Sequence, residues 1–230
     1  MLLQATDLSA RYGRIPILNG IQLQVAAGEF VGVLGHNGMG KTTLLRTLMG
    51  FVPAQRGRIA FDGVDVTREA PYTRARRGLG YVPQGREIFP GLSVRDNLRM
   101  GFAGRGADER IDTILQTFPR LTPLLNRRGG ALSGGEQQLL AIARCLAGQP
   151  KMILFDEPTE GIQPNIVHEI GDIILKLNKE ENLTVLLVEQ KLPFARRVAS
   201  EFCILDKGRL VAAGPIADLT DRVVAAHLSV

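Results

Sequence analysis

Phe30-Val31-Gly32-Val33-Leu34 followed by Gly35-His36-Asn37-Gly38-Met39-Gly40-Lys41-Thr42-Thr43 and then by Leu44-Leu45-Arg46-Thr47-Leu48-Met49 is a strand-like run, a glycine-rich turn and a helix-like run. That order is the setting of a phosphate-binding P-loop. The glycines let successive N–H groups converge on an anion, and the helix that follows adds about half a positive charge at its start. Lys41 reaches the β- and γ-phosphates as a point charge, and the Thr42 hydroxyl holds Mg²⁺. A plain Gly-rich turn would match G-x-x-x-x-G-K-[ST] by chance in roughly 1% of chains of this length, given background glycine usage. The glycine spacing does not fit the G-x-G-x-x-G dinucleotide fingerprint.

Composition agrees with a nucleotide-binding domain. A chain of 230 residues can bury a sizeable core and suits one α/β domain carrying an insert. No apolar run approaches the roughly 18 to 20 residues that span a bilayer, and Met1-Leu2-Leu3-Gln4-Ala5 lacks the charged start of a signal peptide, so a cytosolic location is expected. Cys145, in a helical run, and Cys203, in a strand-like one, read as buried free thiols rather than a disulfide or metal pair. The net charge of +5 invites a nucleic-acid reading, yet no aromatics interleave with Arg74, Arg76 and Arg77 or with Arg127 and Arg128. No nucleic-acid partner is expected.

Residues 1–83 and 147–230 alternate β-rich and helical runs, as a mostly parallel sheet covered by helices does. The β-rich runs include Ile15–Val25, Arg58–Phe61, Leu79–Val82, Met152–Phe155, Thr184–Leu187 and Phe202–Leu205. Val94 to Leu146 reads as helical only. Ile111–Phe118 has helical spacing that Pro119 and Pro123 interrupt, and Asp206-Lys207-Gly208-Arg209 reads as a hairpin turn.

Lys151-Met152-Ile153-Leu154-Phe155-Asp156-Glu157-Pro158 is an apolar strand that delivers two carboxylates at the end where α/β sheets bind ligands. Alone it is an ordinary strand end; beside a P-loop, Asp156 suits Mg²⁺ and Glu157 suits polarisation of an attacking water. Leu132-Ser133-Gly134-Gly135-Glu136-Gln137-Gln138 lies upstream, with Ser133 fit to cap a helix from Glu136 to Leu146 and the glycines baring its first N–H groups. That makes a second anion cradle. One chain has no use for two, whereas two chains packed head to tail would each offer this one to the other's γ-phosphate.

In this order and spacing the three motifs resemble an ABC-transporter ATP-binding subunit, over the whole chain. The resemblance implies an α/β P-loop NTPase core of RecA-like type with a mostly parallel sheet, an N-terminal antiparallel β portion and an inserted α-helical subdomain. It implies one ATP-binding domain, with core at 1–83 and 147–230 and the Q-loop, helical subdomain and signature at 84–146. ATP and Mg²⁺ are the implied cofactors. ATP is held by Gly35 to Thr43 and by the signature residues Ser133, Gly134, Gly135 and Glu136 across the dimer. By position, Tyr12 resembles the adenine-stacking aromatic, and Gln84 the Q-loop glutamine that ligates Mg²⁺ with Thr42 and Asp156. Gly85-Arg86-Glu87-Ile88-Phe89-Pro90 would border the groove for a membrane subunit's coupling helix, although Phe89 equally suits a core.

Two departures narrow the resemblance. Glu160-Gly161-Ile162-Gln163 stands where most of the family has Ser-Ala-Leu-Asp, and Gln190 in Val188-Glu189-Gln190-Lys191 stands where most have a switch histidine. A carboxamide orients water and phosphate by hydrogen bonds but takes no proton near neutral pH, which makes Glu157 the main candidate base. These features resemble the smaller ATPase of branched-chain-amino-acid-type importers, and within them the urea or short-amide subunit. The resemblance implies a peripheral subunit on the cytoplasmic face of the inner membrane. Its implied partners are permeases, a second and paralogous ATPase and, indirectly, a periplasmic solute-binding protein. The branched-chain amino-acid importer itself is the alternative. A non-transport cassette acting on ribosomes or DNA would bring tandem cassettes or coiled-coil inserts, and a P-loop kinase or GTPase leaves Leu132 to Gln138 without a purpose.

Overall fold

The computed structural model describes residues 1–102 and 107–228, with no side-chain description between 103 and 109. In chain order the elements begin with β1 (Leu3–Tyr12), β2 (Ile15–Val25), β3 (Phe30–Leu34), α1 (Lys41–Met49), β4 (Arg56–Phe61) and β5 (Val64–Asp65). Next come α2 (Pro71–Arg76), β6 (Leu79–Val82), α3 (Val94–Arg99), α4 (Ala107–Thr117) and α5 (Gly134–Ala147). The last are β7 (Met152–Asp156), α6 (Pro164–Glu181), β8 (Thr184–Glu189), α7 (Leu192–Val198), β9 (Glu201–Asp206), β10 (Arg209–Pro215) and α8 (Asp221–His227).

Two sheets form. An antiparallel one runs β2-β1-β4-β5, and a six-stranded one runs β10-β9-β3-β8-β7-β6, in which only β10 is antiparallel to its neighbour. The central strands are apolar throughout because both faces are covered. On β7, Met152 and Leu154 join the core beneath the antiparallel sheet and α1, while Ile153 and Phe155 join the core shared with the helical region. On β8, Leu186 and Val188 take the first side and Val185 and Leu187 the second. This is the period of two expected of a pleated strand.

Between β6 and β7 the chain is helical, as expected: α3, α4, a 3₁₀ turn at Pro119–Leu124 and α5. Pro119 ends α4 at Thr117 and opens the 3₁₀ turn, which carries Pro123 inside it. The signature helix starts at Gly134 rather than Glu136, because Ser133 caps it fully. Ser133 Oγ accepts from the Glu136 N–H at 3.4 Å, and the Glu136 carboxylate accepts from the Ser133 N–H at 2.7 Å.

Three strands are absent from the β-rich runs above: β1, the two-residue β5 and β10. β1 is broken by register shifts between Ala5 and Leu8 and between Leu8 and Ala10, with Asp7 at φ 51°, so its alternation is lost in the sequence. β10 is an edge strand with alternating partial exposure that ends in Gly214-Pro215. The strand ends of β7, β8 and β9 also reach one or two residues past their apolar runs, to Asp156, Glu189 and Asp206. Those extensions put acids at the carboxyl edge of the sheet. Among the described residues no helix is long and apolar enough to cross a membrane.

Candidate nucleotide site

The sheet order explains the site. β3, β8, β7 and β6 are successive parallel neighbours, so the P-loop after β3, Gln190 after β8, Asp156 and Glu157 at the end of β7 and Gln84 after β6 line up along one carboxyl edge. The register pairs Leu34 with Glu189 and Asp156 with Val188.

The loop is built for close approach. A Cβ on Gly35 would sit 2.3 Å from the Leu205 carbonyl oxygen. Gly40, at φ 104°, begins α1 with no side-chain cap, which leaves the first turn's N–H groups for an anion. Lys41 is 5% exposed, and two of its three ammonium protons go to backbone carbonyls. It donates to the carbonyls of Gly35 at 2.8 Å and His36 at 2.9 Å, and lies 3.3 Å from Glu157 Oε1. His36 stands beside the loop with Nε2 buried and without a hydrogen-bond partner.

Glu157 sits at φ 49°, a left-handed conformation that costs a non-glycine residue, and its N–H donates to the Val188 carbonyl at 3.0 Å. This turn aims the carboxylate back at the P-loop. Gln190 Nε2 donates to Glu157 Oε1 at 2.7 Å and to Asn37 Oδ1 at 2.5 Å. Gln84 Nε2 donates to Glu160 at 2.6 Å and reaches Glu157 Oε2 at 3.4 Å.

Asp156 is fully buried, with a hydroxyl on each oxygen: Thr42 donates to Oδ1 at 3.0 Å and Tyr81 to Oδ2 at 3.1 Å. Burial pushes its carboxyl above the usual range, against the two hydroxyl bonds. The Tyr81 hydroxyl is raised as well, by burial first and then by the Asp156 charge. A buried carboxylate beside a threonine hydroxyl is a hard-oxygen donor pair, which fits Mg²⁺ held mainly by phosphates and water. Among the described residues no group of three or more His, Cys, Asp or Glu could hold a metal unaided.

A cavity of about 410 Å³ lies over the loop, lined by Asn37, Gly38, Gly40, Lys41 and Thr42 and, from across it, by Gln84, Glu157 and Glu160. Gln84 also lines a neighbouring pocket of about 280 Å³ with Thr42, Tyr81 and Asp156. Ser133, Gly134, Gly135 and Glu136 do not line the cavity, and neither does Tyr12, which ends β1 at 45% exposure. Ile17 on β2, unremarked in the sequence, does line it. Three further residues were given no role from the sequence: Glu160, Tyr81, and the 2% exposed Glu189, which accepts from Thr159 Oγ1 and from the N–H groups of Gln190 and Lys191.

A larger groove, about 800 Å³, opens on the outer side of β6 and is lined in part by Phe51, Arg86, Phe89, Met100 and Arg144. Phe51, Phe89 and Met100 are 50%, 42% and 59% exposed, so Phe89 belongs to this surface and not to the core. The Arg144 guanidinium lies over the Phe89 ring at 5.1 Å.

The fold and site together define an ATP-binding cassette. The ABC transporter family profile matches residues 18–160, and the chain belongs to that family and is an ABC-type ATPase. It is 39% identical over 213 residues to the high-affinity branched-chain amino acid transport ATP-binding protein BraG of Pseudomonas aeruginosa, covering 91% of each chain. It is 34% identical to the probable branched-chain amino acid transport ATP-binding protein LivF of Archaeoglobus fulgidus, covering 96% of this chain and 94% of that one. It is also 37% identical to the lipopolysaccharide export system ATP-binding protein LptB of Escherichia coli K12, over 92% and 90% of the two chains. Among solved structures, the cassette MJ0796, a dimer in a post-hydrolysis state bound to ADP and phosphate, superimposes with a TM-score of 0.84 at 26% identity, covering 93% of this chain and 98% of that one.

Proposed function

We propose that this cassette drives an importer of branched-chain amino acids or a similarly small solute, as one of two ATPases docked on membrane permeases at the cytoplasmic face. The likeness to BraG and LivF supports the import reading, and it favours amino acids over the urea or short amides that the sequence resemblance implied. The likeness to an export ATPase means that the cassette alone does not choose the solute.

The observation that carries the ATPase mechanism is the Glu157 carboxylate held between Lys41 and Gln190. A phosphate bound by Lys41 competes with Glu157 for the ammonium proton that the Gly35 and His36 carbonyls leave over. Arrival of ATP therefore draws the ammonium towards the phosphates and frees Glu157 Oε1 to accept from water, with Gln190 orienting both. Thr42, Asp156 and Gln84 would hold Mg²⁺, which would supply charge neutralisation at the phosphates. Separation of Ser133–Glu136 from the P-loop cavity supports a head-to-tail dimer in which each signature helix completes the other's site. Tyr12 takes the adenine only if the nucleotide extends beyond the cavity along the end of the β1–β2 hairpin. The groove at Phe51, Phe89 and Met100 receives a permease helix, and a periplasmic solute-binding protein supplies the solute to those permeases.

The test is to purify the cassette with its associated membrane proteins, reconstitute the complex in proteoliposomes with the cognate binding protein, and measure ATP hydrolysis against added leucine, isoleucine, valine or urea. Stimulation by the amino acids supports the proposal. Stimulation by urea alone restores the narrower reading, and co-purification with an export system overturns import.

A further inference from the structure

The Asp156 carboxylate has two hydroxyl partners, but only Thr42 belongs to the nucleotide-binding motifs. The other, Tyr81, comes from β6, the outermost strand of the sheet, where it pairs in register with Leu154, two residues before Asp156. That register carries the phenol along the sheet edge, and its hydroxyl donates to Oδ2 at 3.1 Å. The ring is half-buried and packs against Phe51, with centroids 5.8 Å apart and planes inclined at 50°. Phe51 and Tyr81 both line the large outer groove and the small pocket at Asp156, so the pair forms the wall between them.

A carboxylate that is fully buried and bonded on only one oxygen can rotate its second oxygen away from a cation. Bonds to both oxygens, from two different elements, fix the plane of the group. Partners of this kind orient metal-binding carboxylates and tune affinity without touching the metal.

We propose that Tyr81 is a positioning residue for the Mg²⁺ site: its hydroxyl, braced through the ring by Phe51, locks Asp156 Oδ2 and leaves the Thr42-facing oxygen for the cation of bound nucleotide. The proposal rests on the reading of Asp156 as the Mg²⁺ carboxylate. Tyr81→Phe removes one hydroxyl and keeps the ring, its packing on Phe51 and the strand.

The experiment is a titration of the purified chain with a fluorescent ATP analogue, in EDTA and then at increasing Mg²⁺, for the parent, Tyr81→Phe, Asp156→Asn and the double variant, with melting temperatures alongside. Tyr81→Phe should bind nucleotide in EDTA as the parent does and need roughly 3- to 10-fold more Mg²⁺ for half-maximal gain, the loss of one hydrogen bond to the carboxylate. In the Asp156→Asn background the same change should alter the Mg²⁺ requirement no further. An unchanged Mg²⁺ requirement in Tyr81→Phe overturns the proposal. So does equal weakening in EDTA and Mg²⁺ with a lowered melting temperature, which is the signature of a structural role. If Asp156→Asn itself keeps the parent's Mg²⁺ dependence, the metal reading fails, and that result is distinct from failure of Tyr81 alone.

Discussion

Gln190 Nε2 and Glu157 Oε1 are 2.7 Å apart, and the second N–H of the same amide goes to Asn37 in the P-loop. A carboxylate can only accept here, so the amide nitrogen must face it. Gln190 thus joins the β8 end to both the candidate base and the phosphate loop.

Gln190→Ala should lower kcat by about 10-fold or more while KM for ATP stays within about 3-fold, because an orienting contact realised in the transition state acts on turnover. The measurement is steady-state hydrolysis in the assembled complex. A parent-like kcat would make Gln190 a bystander.

Lys41→Ala should weaken ATP binding by about 10- to 100-fold, the value of a charge-assisted hydrogen bond. It also strands Glu157, which loses its cation at 3.3 Å in a buried setting. Equilibrium nucleotide titration reads the loss, and undiminished affinity removes Lys41 from the site.

Much of this site was legible because its signals are local. The P-loop, the strand ending in Asp156-Glu157 and the Ser133 cap are each set by residues within a few positions of one another, although the capped helix begins at Gly134 and not at the expected Glu136. What was not legible depends on contacts across the chain. Tyr81 meets Asp156 over 75 positions, Gln84 meets Glu160 over 76, and Glu189 meets Thr159 over 30, none with any spacing rule to announce it. β1 was hidden for a different reason: its bulges at Asp7 erase the alternation that marks a strand.

Arg74 was read only as part of a basic cluster, yet it is 2% exposed and donates to the carbonyls of Thr47, Leu48, Thr67 and Glu69. Two of those carbonyls close the last turn of α1, the helix that carries Lys41 and Thr42. Arg74→Ala should cost about 2 to 4 kcal/mol in urea unfolding, since several carbonyls lose a charged donor. A loss under about 0.5 kcal/mol would show that water replaces the guanidinium freely.

Burial pushes the Cys203 thiol up to about 12, from an ordinary value of 9.0. The native state therefore keeps this proton where the unfolded chain has lost it, and the contribution to stability is unchanged below about pH 9 and declines as pH rises towards 12. At about pH 8 the native thiol should resist iodoacetamide that modifies the denatured chain within minutes. Mass spectrometry distinguishes the two, and rapid native labelling at Cys203 would contradict its burial.

Glu157 supplies the carboxylate that polarises the attacking water in the proposed mechanism, and Glu157→Gln keeps the shape of the side chain while removing the base. The measurement is single-turnover hydrolysis of Mg²⁺-ATP in the assembled transporter, with gel filtration to detect an ATP-closed dimer. Glu157→Gln should bind nucleotide close to the parent, hydrolyse it about 100-fold or more slowly, and accumulate a closed dimer. Hydrolysis at the parent's rate would contradict that role of Glu157.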